Sequence, residues 1–417
     1  ETGVGGLGSS RRRPPASGSR TGSARSARSP STRTGVGGGR GEDGLDADGG
    51  LLPSSRPDTG VTAPPPAEVS QVSNAASEAR RRRAVEEEDD QDGKITPITE
   101  EMVIGIAQAN ATALERLTSV SLSGMCISSI ACLKSCPQLR TLDVSCNRIR
   151  ILEGLEFNPQ LRELRVSYNR LWTLSGLTKN GALEELHAQV NQLSEIAKGW
   201  LSAQKKLKVL RLDGNRLTKL ANLDSLVSLT HLDVGSNQLS KIEGLGMVAQ
   251  SLEVLCISNN QLTSLAGVDQ AAWLREVDAT SNSLTGLSGL RRCDKLETLR
   301  LSHNQIADLS GLPRLVGLAE LYLVGNCLAA GVGKAIARGC PSLEFLTLKD
   351  NQIKDLSEIR QYAAITSLVD LKLAGNPMCE KGEYVGMAKQ HLTQLDSLDD
   401  LVIVERKPLE EGEGGEV

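Results

Sequence analysis

Aromatic residues are scarce in this sequence, with 2 Phe, 4 Tyr and 3 Trp among 417 residues. Without them a hydrophobic core must be built from Leu, Ile and Val, and single-stranded nucleic acid finds no stacking platform. Apolar runs of about 18 residues, the length that indicates a membrane-spanning helix, are also missing. The sequence therefore predicts neither a membrane span nor a nucleic-acid partner.

Cysteine motifs are lacking as well, since the nine Cys are an odd number and none forms CxxC. Secreted repeat proteins commonly end in disulfide-bonded caps, and no such cap is visible here. We expect free, packed thiols, above all at Cys136, Cys293 and Cys340. This composition favours a cytoplasmic location, with the cilium, the cytoskeleton and the nucleus left open.

Charge of one sign does not dominate the chain, whose formal net charge is −4. Residues 1–94 hold 14 basic and 14 acidic side chains, and residues 405–417 hold 2 and 5. The segment between them is almost neutral. Long-range steering of a strongly charged partner by this segment is therefore not expected.

What the sequence does contain is a repeated phrase, of which LKVLRLDGNRL (207–217) is a clear copy. Leu210 and Leu212 alternate as in a short strand, so both point to one side. Asn215 lies where the chain must turn, and we expect its side chain to bond to backbone groups of the next coil. One such unit cannot bury its own leucines, so the phrase predicts a stack of units.

The Asn of this phrase recurs 11 times at intervals of 22 to 25 residues. A degenerate copy with Met125 in place of Asn comes first, so the sequence predicts 12 coils and 12 parallel strands. We expect the asparagines to form a structural ladder, consisting of Asn147, Asn169, Asn191, Asn215, Asn237, Asn260, Asn282, Asn304, Asn326, Asn351 and Asn376.

The repeated pattern resembles the leucine-rich repeat family, LxxLxLxxNxL, over residues 95–404. The 22-residue period and the segments IRILEGL, TKLANL, SKIEGL and ADLSGL are similar to the subclass that includes protein phosphatase 1 regulatory subunit 7 and axonemal dynein light chain 1. The resemblance implies an α/β fold, a leucine-rich repeat solenoid. Its curved parallel sheet would form the concave face, with 3₁₀ and short helices on the convex face.

Caps are predicted at both ends of the repeats, over 95–113 and 375–404. Thr99 is expected to cap a helix whose apolar side holds Met102, Val103, Ile106 and Ala107. The resemblance implies that Tyr384 lies on a helix of the C-terminal cap. Longer spacings near the C-terminal end leave room for helices at about 329–338 and 355–364.

The two ends of the chain are predicted to be disordered. The arm, residues 1–94, is rich in Arg, Gly, Ser and Pro, and residues 1–40 hold eight Arg against one Glu. Such an arm is either a linker or a basic segment that contacts an acidic surface such as a microtubule. Ser29-Pro30 is a candidate site for a proline-directed kinase. Residues 405–417 form an acidic tail.

The concave face is where we expect a partner to bind, because repeat solenoids present wide curved surfaces. Arg side chains there could fork to carboxylates of a partner, and binding energy concentrates at Tyr and Arg. The candidate partner-binding residues are Arg165, His187, Arg211, Asp233, Asp278, Arg300, Tyr322 and Phe345.

Catalytic and metal sites are not expected. No GxSxG, HExxH or EF-hand pattern occurs. His187 and His231 lie two coils apart, about 10 Å along the sheet, which is too far for a shared metal ion. GVGKA (331–335) lacks the first Gly and the Ser or Thr of a phosphate-binding loop. The sequence thus predicts no enzyme and no cofactor.

Two functions remain open at this stage. One is a non-catalytic, monomeric scaffold that binds a protein partner and regulates a phosphatase, as the family resemblance implies, with the phosphatase catalytic subunit as partner. The alternative is a ciliary, axonemal or microtubule-associated component that binds a cytoskeletal protein through the Arg-rich arm.

Overall fold

The structure, a computed structural model, describes residues 97–106 and 111–403. Within them, 14 short strands form one sheet in sequence order; β1 to β13 are parallel and β14 pairs antiparallel with β13. The strands are β1 Ser119–Ser121, β2 Thr141–Asp143, β3 Glu163–Arg165, β4 Glu185–His187, β5 Val209–Arg211, β6 His231–Asp233, β7 Val254–Cys256, β8 Glu276–Asp278, β9 Thr298–Arg300, β10 Glu320–Tyr322, β11 Phe345–Thr347, β12 Asp370–Lys372, β13 Ser397–Leu398 and β14 Leu401–Val402.

Strands β1 to β12 are the 12 predicted repeat strands, and we number the coils after them. Each strand buries its central residue and directs its two flanking side chains to the concave face, as alternation along a strand requires. The parallel register places Leu142 beside Leu164, and Leu164 beside Leu186, all fully buried. Because burial of each such Leu stabilises the fold by about 1.5–3 kcal/mol, this shared row holds neighbouring coils together.

The asparagine ladder connects each coil to the one before it. In coil 6, Asn237 Nδ2 donates to Leu212 O of coil 5 at 3.0 Å, and Asn237 Oδ1 accepts from Leu217 N at 2.9 Å. All 11 predicted asparagines make this pair of bonds. The expectation that they would bond to the next coil was wrong, because the turn directs the amide back toward the preceding coil.

A second amide ladder, not expected from the sequence, lies on the other side of the strands. Asn158, Asn180 and Gln204 are fully buried three residues before the first Leu of their coils. Asn180 Nδ2 donates to Leu155 O at 2.8 Å and to Asn158 O at 2.9 Å. These bonds add a second donor to carbonyl groups that already accept a backbone N–H, since Asn158 N donates to Leu155 O at 3.0 Å and Leu161 N donates to Asn158 O at 3.2 Å.

Cysteine occupies the same position in other coils. Cys136, Cys293 and Cys340 are buried and free, as the sequence predicted. Burial raises the pKa of the Cys293 thiol to about 11 and that of Cys340 to about 12. Since the thiolate is the reactive form, these cysteines act as small apolar residues.

The convex side is made of turns, short 3₁₀ segments and two helices near the C-terminal end. Helices α2 (Val332–Gly339) and α3 (Glu358–Tyr362) lie where the longer spacings predicted them. The 3₁₀ segments are Ala111–Arg116, Ala131–Ser135, Leu155–Phe157, Ser175–Leu177, Gly246–Gln250, Val268–Gln270 and Pro377–Glu380.

Helix α1 (Glu100–Ile106) covers the N-terminal end of the repeats. Met102 N donates to Thr99 Oγ1 at 3.4 Å, a long bond at the predicted capping residue. Ile98 and Val103 are buried against the core. The predicted apolar side is only partly correct, because Ile106 is 40% exposed, and Ala107 lies outside the described residues.

In the C-terminal cap, strand β13 continues the sheet, but the residue after it, Asp399, accepts a backbone N–H through its side chain. In coil 11, Leu348 N donates to Lys372 O of the next strand at 2.7 Å. The corresponding Leu373 N of coil 12 donates to Asp399 Oδ1 at 2.6 Å instead. Tyr384, which lies on helix α4 (Tyr384–His391) as the resemblance implied, donates from its hydroxyl to Asp399 Oδ2 at 2.5 Å.

The segment GVGKA forms the start of α2, where backbone N–H groups point outward as they do in anion sites. Glu358, which is 8% exposed, already fills this position. Its Oε1 accepts from Gly331 N at 2.6 Å, and its Oε2 accepts from Gly333 N at 2.8 Å. The chain's own carboxylate thus occupies the place that a phosphate would take.

Replacing Glu358 with Gln is expected to lower the free energy of unfolding by about 2 kcal/mol. The amide NH₂ then faces one of the two N–H groups, and the negative charge at the helix start is lost. Urea denaturation measures the change. Asp355→Asn is the matched control, because the Asp355 carboxylate bonds only to exposed Ser357. Equal stability of Glu358→Gln and the unaltered chain would contradict this role.

Predictions for residues 1–94 and 405–417 fall outside the described residues. Among those described, no helix combines the length and apolar character that crossing a bilayer requires.

Candidate functional site: the concave face

The concave face consists of the side chains on either side of the central residues of β1 to β12. All eight predicted partner-binding residues lie there, on β3 to β6 and β8 to β11. Its charged groups, apart from two His, are eight carboxylates and four cations: Asp143, Glu163, Glu185, Asp233, Glu276, Asp278, Glu320 and Asp370, with Arg165, Arg211, Arg300 and Lys372. The face thus carries an excess of four negative charges.

The C-terminal third of this face holds a continuous row of cationic and aromatic side chains, which we call the aromatic stack: Arg300, Tyr322, Phe345 and Lys372. The Tyr322 and Phe345 rings lie 5.0 Å apart between centroids, tilted by 35°. Arg300 lies over Tyr322 at 5.3 Å, and Lys372 lies over Phe345 at 5.6 Å. Cation–π contacts of this kind contribute about 0.5–1 kcal/mol each at exposed sites.

Carboxylates close both ends of the aromatic stack. Arg300 Nη1 forms an ion pair with Glu276 Oε1 at one end, and Lys372 Nζ donates to Asp400 Oδ1 at 2.5 Å at the other. Tyr322 donates its hydroxyl to Glu320 Oε2 at 3.1 Å. These bonds hold the four side chains in one arrangement before any partner arrives.

These carboxylates stabilise the charged forms of Arg300 and Lys372. Burial disfavours the charged form of Arg300, but Glu276 outweighs burial, and the pKa of Arg300 is raised. Asp400 raises the pKa of Lys372. Burial and the bond to Glu320 raise the pKa of the Tyr322 hydroxyl, so it stays protonated and available as a donor.

Arg211, another of the predicted partner-binding residues, lies apart from the aromatic stack. It is on β5, four strands from Arg300 and therefore about 19 Å away along the sheet. Its Nε is 3.3 Å from Asp213 Oδ1, and its Nη2 is 3.4 Å from Asp233 Oδ2. Burial and the Asp233 carboxylate raise the pKa of Asp213 in spite of Arg211.

The predicted Arg forks are therefore already engaged within the chain. Arg165 Nη2 lies 2.6 Å from Glu163 Oε1, and Arg211 and Arg300 have the carboxylate partners described above. A partner's carboxylate must compete with these internal contacts. Aspartates of the face also bond to the chain's own backbone: Asp278 Oδ1 accepts from Thr280 N at 2.9 Å.

The two concave histidines have different surroundings. His187 Nε2 lies 3.2 Å from Glu185 Oε2, and Glu163 of the neighbouring strand is close to both. His231 is exposed and its Nδ1 lies 2.8 Å from Thr230 Oγ1. Of His187, Glu185 and Glu163, only His187 was chosen as a candidate from the sequence. The spacing could have indicated the other two, because Glu185 lies two residues before His187 and Glu163 lies 22 residues before Glu185.

A pocket of about 300 Å³ lies beside the sheet and was not expected from the sequence. Trp273, which is 57% exposed, forms one wall, with Lys295 Nζ 5.3 Å from its ring centroid. Arg275 makes a bidentate ion pair with Glu297 at 2.8 and 2.9 Å. The four charged residues that line this pocket, among them Glu253, sum to zero charge.

A stack of short parallel strands pinned by asparagines defines a leucine-rich repeat solenoid. The chain has this fold, and two of its parts match family models: residues 274–411 match the model described as leucine-rich repeat, and residues 205–246 match one described as leucine-rich repeats in two copies. The search of curated proteins gives no match.

Solved structures share the fold. An internalin (inlF) of Listeria monocytogenes is 22% identical, with a TM-score of 0.62 over 72% of this chain and 86% of that chain. The leucine-rich repeat domain of APL1 is 21% identical, with a TM-score of 0.53 over 65% and 77%. TLR13 in complex with ssRNA13 is 22% identical, with a TM-score of 0.52 over 70% and 45%. At these identities the likeness concerns the fold alone.

Proposed function

We propose that this chain is a non-catalytic scaffold that binds a protein partner on its concave face, with the aromatic stack as the anchor. The observation that carries the proposal is the prearranged row from Arg300 to Lys372. Interfaces concentrate their binding energy in Tyr, Trp and Arg side chains. Side chains already held in position lose less entropy when a partner binds.

The charge of the concave face favours a particular partner chemistry. Eight carboxylates face four cations, and each of the four cations has an intramolecular carboxylate within 4.0 Å. A partner surface with an excess of Lys or Arg finds complementary charge, which raises the association rate and orients the encounter. The aromatic stack then supplies apolar contact at the C-terminal end of the same face.

Replacing Tyr322 with Ala is expected to weaken partner binding at least tenfold, because it removes the central ring of the aromatic stack and leaves Arg300 and Phe345 without a common neighbour. A partner isolated from the native cell with the unaltered chain is titrated in purified form against each variant by calorimetry. Trp273→Ala is the control, since it removes an aromatic side chain, more exposed than Tyr322, from outside the concave face.

Equal affinity of the Tyr322→Ala variant and the unaltered chain would move the binding site away from the aromatic stack. A loss in the Trp273→Ala variant alone would place it at the pocket beside the sheet.

The finer predictions rest on the sequence resemblance. These are regulation of a phosphatase through its catalytic subunit and, as the alternative, a ciliary, axonemal or microtubule-associated role of the Arg-rich arm. We keep both as predictions, together with a cytoplasmic location and a monomeric state. A microtubule-pelleting assay with and without residues 1–94 distinguishes the second from the first.

A further inference from the structure

Three side chains of the concave face lie close enough together to share one ion. Glu163 on β3 stands in register with Glu185 on β4, and Arg165 stands in register with His187. One carboxylate oxygen from each glutamate and a ring nitrogen of His187 all lie within 4.8 Å of one another. Two adjacent strands of one sheet fix the backbone beneath them, so the spacing does not depend on a loop.

The chemistry of this set is selective. An imidazole with two carboxylates suits a borderline metal ion such as Zn²⁺, whereas Ca²⁺ and Mg²⁺ prefer oxygen alone. Ligand atoms about 2.1 Å from one ion lie roughly 3.4 Å apart in a tetrahedral arrangement. His187 Nε2 and Glu185 Oε2 are 3.2 Å apart, close to that spacing, and an oxygen of Glu163 lies within 4.8 Å of both ligand atoms.

One oxygen of Glu163 is buried and has Arg165 as its charged partner. Its Oε1 is buried and has no hydrogen-bond donor in suitable alignment, although Arg165 Nη2 lies 2.6 Å away as an ion-pair partner. The Arg165 side chain is 52% exposed and can turn into solvent. A divalent ion between Glu163 and Glu185 would replace the Arg165 charge at this oxygen.

We propose that Glu163, Glu185 and His187 bind one Zn²⁺ ion on the concave face. Three protein ligands leave a fourth position open, as in zinc sites that accept an external ligand. That position faces the surface on which we place the partner, so a carboxylate or imidazole of the partner can complete the coordination. Zn²⁺ binding itself does not depend on the proposed scaffold function.

The test is calorimetric titration of the full chain with Zn²⁺, comparing two histidine variants. His187→Ala is expected to weaken the affinity at least tenfold, and Glu185→Gln to weaken it as well. His231→Ala is the matched control, because it removes the other concave histidine two coils away. Arg165→Gln is expected to tighten binding, since it removes the cation that competes for Glu163.

Exposed thiols also bind Zn²⁺, and Cys126 and Cys146 are exposed. Titration with Co²⁺ distinguishes the two kinds of site, because only a thiolate ligand gives a sulfur-to-metal absorption band. The expected Co²⁺ spectrum of the unaltered chain lacks the sulfur-to-metal band. The absorption of the bound Co²⁺ is expected to disappear in the His187→Ala variant. Equal Zn²⁺ affinity of His187→Ala and His231→Ala, with unchanged melting temperatures, would overturn the proposal.

Discussion

Replacing Asn237 with Leu is expected to lower the free energy of unfolding by about 4 kcal/mol. The Asn237 amide donates to three carbonyls, Leu212 O, Val234 O and Gly235 O, each at 3.0 Å, and accepts from Leu217 N at 2.9 Å. Leu fits the space but leaves Leu217 N without its acceptor and removes one donor from each of the three carbonyls, which keep Asn215 Nδ2, Asn260 Nδ2 and Gly214 N. The unpaired N–H group costs about 1–3 kcal/mol and each lost hydrogen bond about 0.5–1.5 kcal/mol, and local relaxation recovers part of the total.

Urea denaturation followed by circular dichroism measures the effect. Gln238→Leu is the control, because Gln238 is the exposed neighbour on the same turn and its side chain points to solvent. The same melting behaviour in both variants would mean that the turn asparagines fill space and do not hold adjacent coils together.

Much of the fold could be predicted because every coil repeats the same physical demands. A buried central residue between two positions on the concave face recurs 12 times, and the Asn recurs 11 times, so each position is visible against its copies. The amide ladder of Asn158, Asn180 and Gln204 covers only three coils and mixes two residue types. In the sequence such a pattern looks like loop composition, and only the stacking of the three coils brings the three amides together.

The candidate site could be predicted only as a set of positions. Alternation along the strands places Arg300 and Tyr322 on the concave face, but their contact depends on which residues of different coils stand in register. The spacing of Tyr322 from Phe345 crosses a longer coil, where counting by 22 residues fails. Lys372 was on the predicted face but not among the chosen residues, because nothing in one strand shows the ring that lies next to it.

Internal pairing changes how the concave face is interpreted. The sequence suggested arginines that reach toward carboxylates of a partner. In the structure Arg165, Arg211 and Arg300 are neutralised by the chain itself, so the uncompensated charge of the face is negative. Specificity then comes from the pattern of remaining carboxylates and from the cost of breaking internal ion pairs.

Two carboxylates perform the same physical task at places where repetition stops. Glu358 accepts the free N–H groups at the start of α2, where a coil is long enough for a helix. Asp399 accepts the N–H groups of the last repeat strand, where no further repeat carbonyl is available. In a solenoid the backbone N–H groups of one coil are bonded by carbonyl groups of the next. Where the repeat is interrupted, a side chain must therefore accept these hydrogen bonds in place of the missing carbonyl groups.

Replacing Asp399 with Ala is therefore expected to lower the free energy of unfolding by about 4 kcal/mol. The change removes the acceptor of Leu373 N and Ala374 N, at 2.6 and 2.7 Å, and that of the buried Tyr384 hydroxyl. Hydrogen bonds to charged groups contribute about 1.5–3 kcal/mol each, and the total is less than their sum. Hydrogen exchange of the Leu373 and Ala374 amides, together with urea denaturation, measures the loss.

A substitution at the next residue, Asp400, is the control for backbone strain. Asp399 has φ 49° and Asp400 has φ 67°, so Ala at either position must adopt the left-handed conformation. Asp400 is exposed and bonds to lysine side chains, not to backbone groups. Asp400→Ala should therefore leave the two amides protected, whereas Asp399→Ala exposes them.

Asp399→Asn, which keeps one acceptor oxygen without the charge, should fall between the two. Similar losses in Asp399→Ala and Asp400→Ala would assign the whole effect to strain and leave the cap carboxylate without a role.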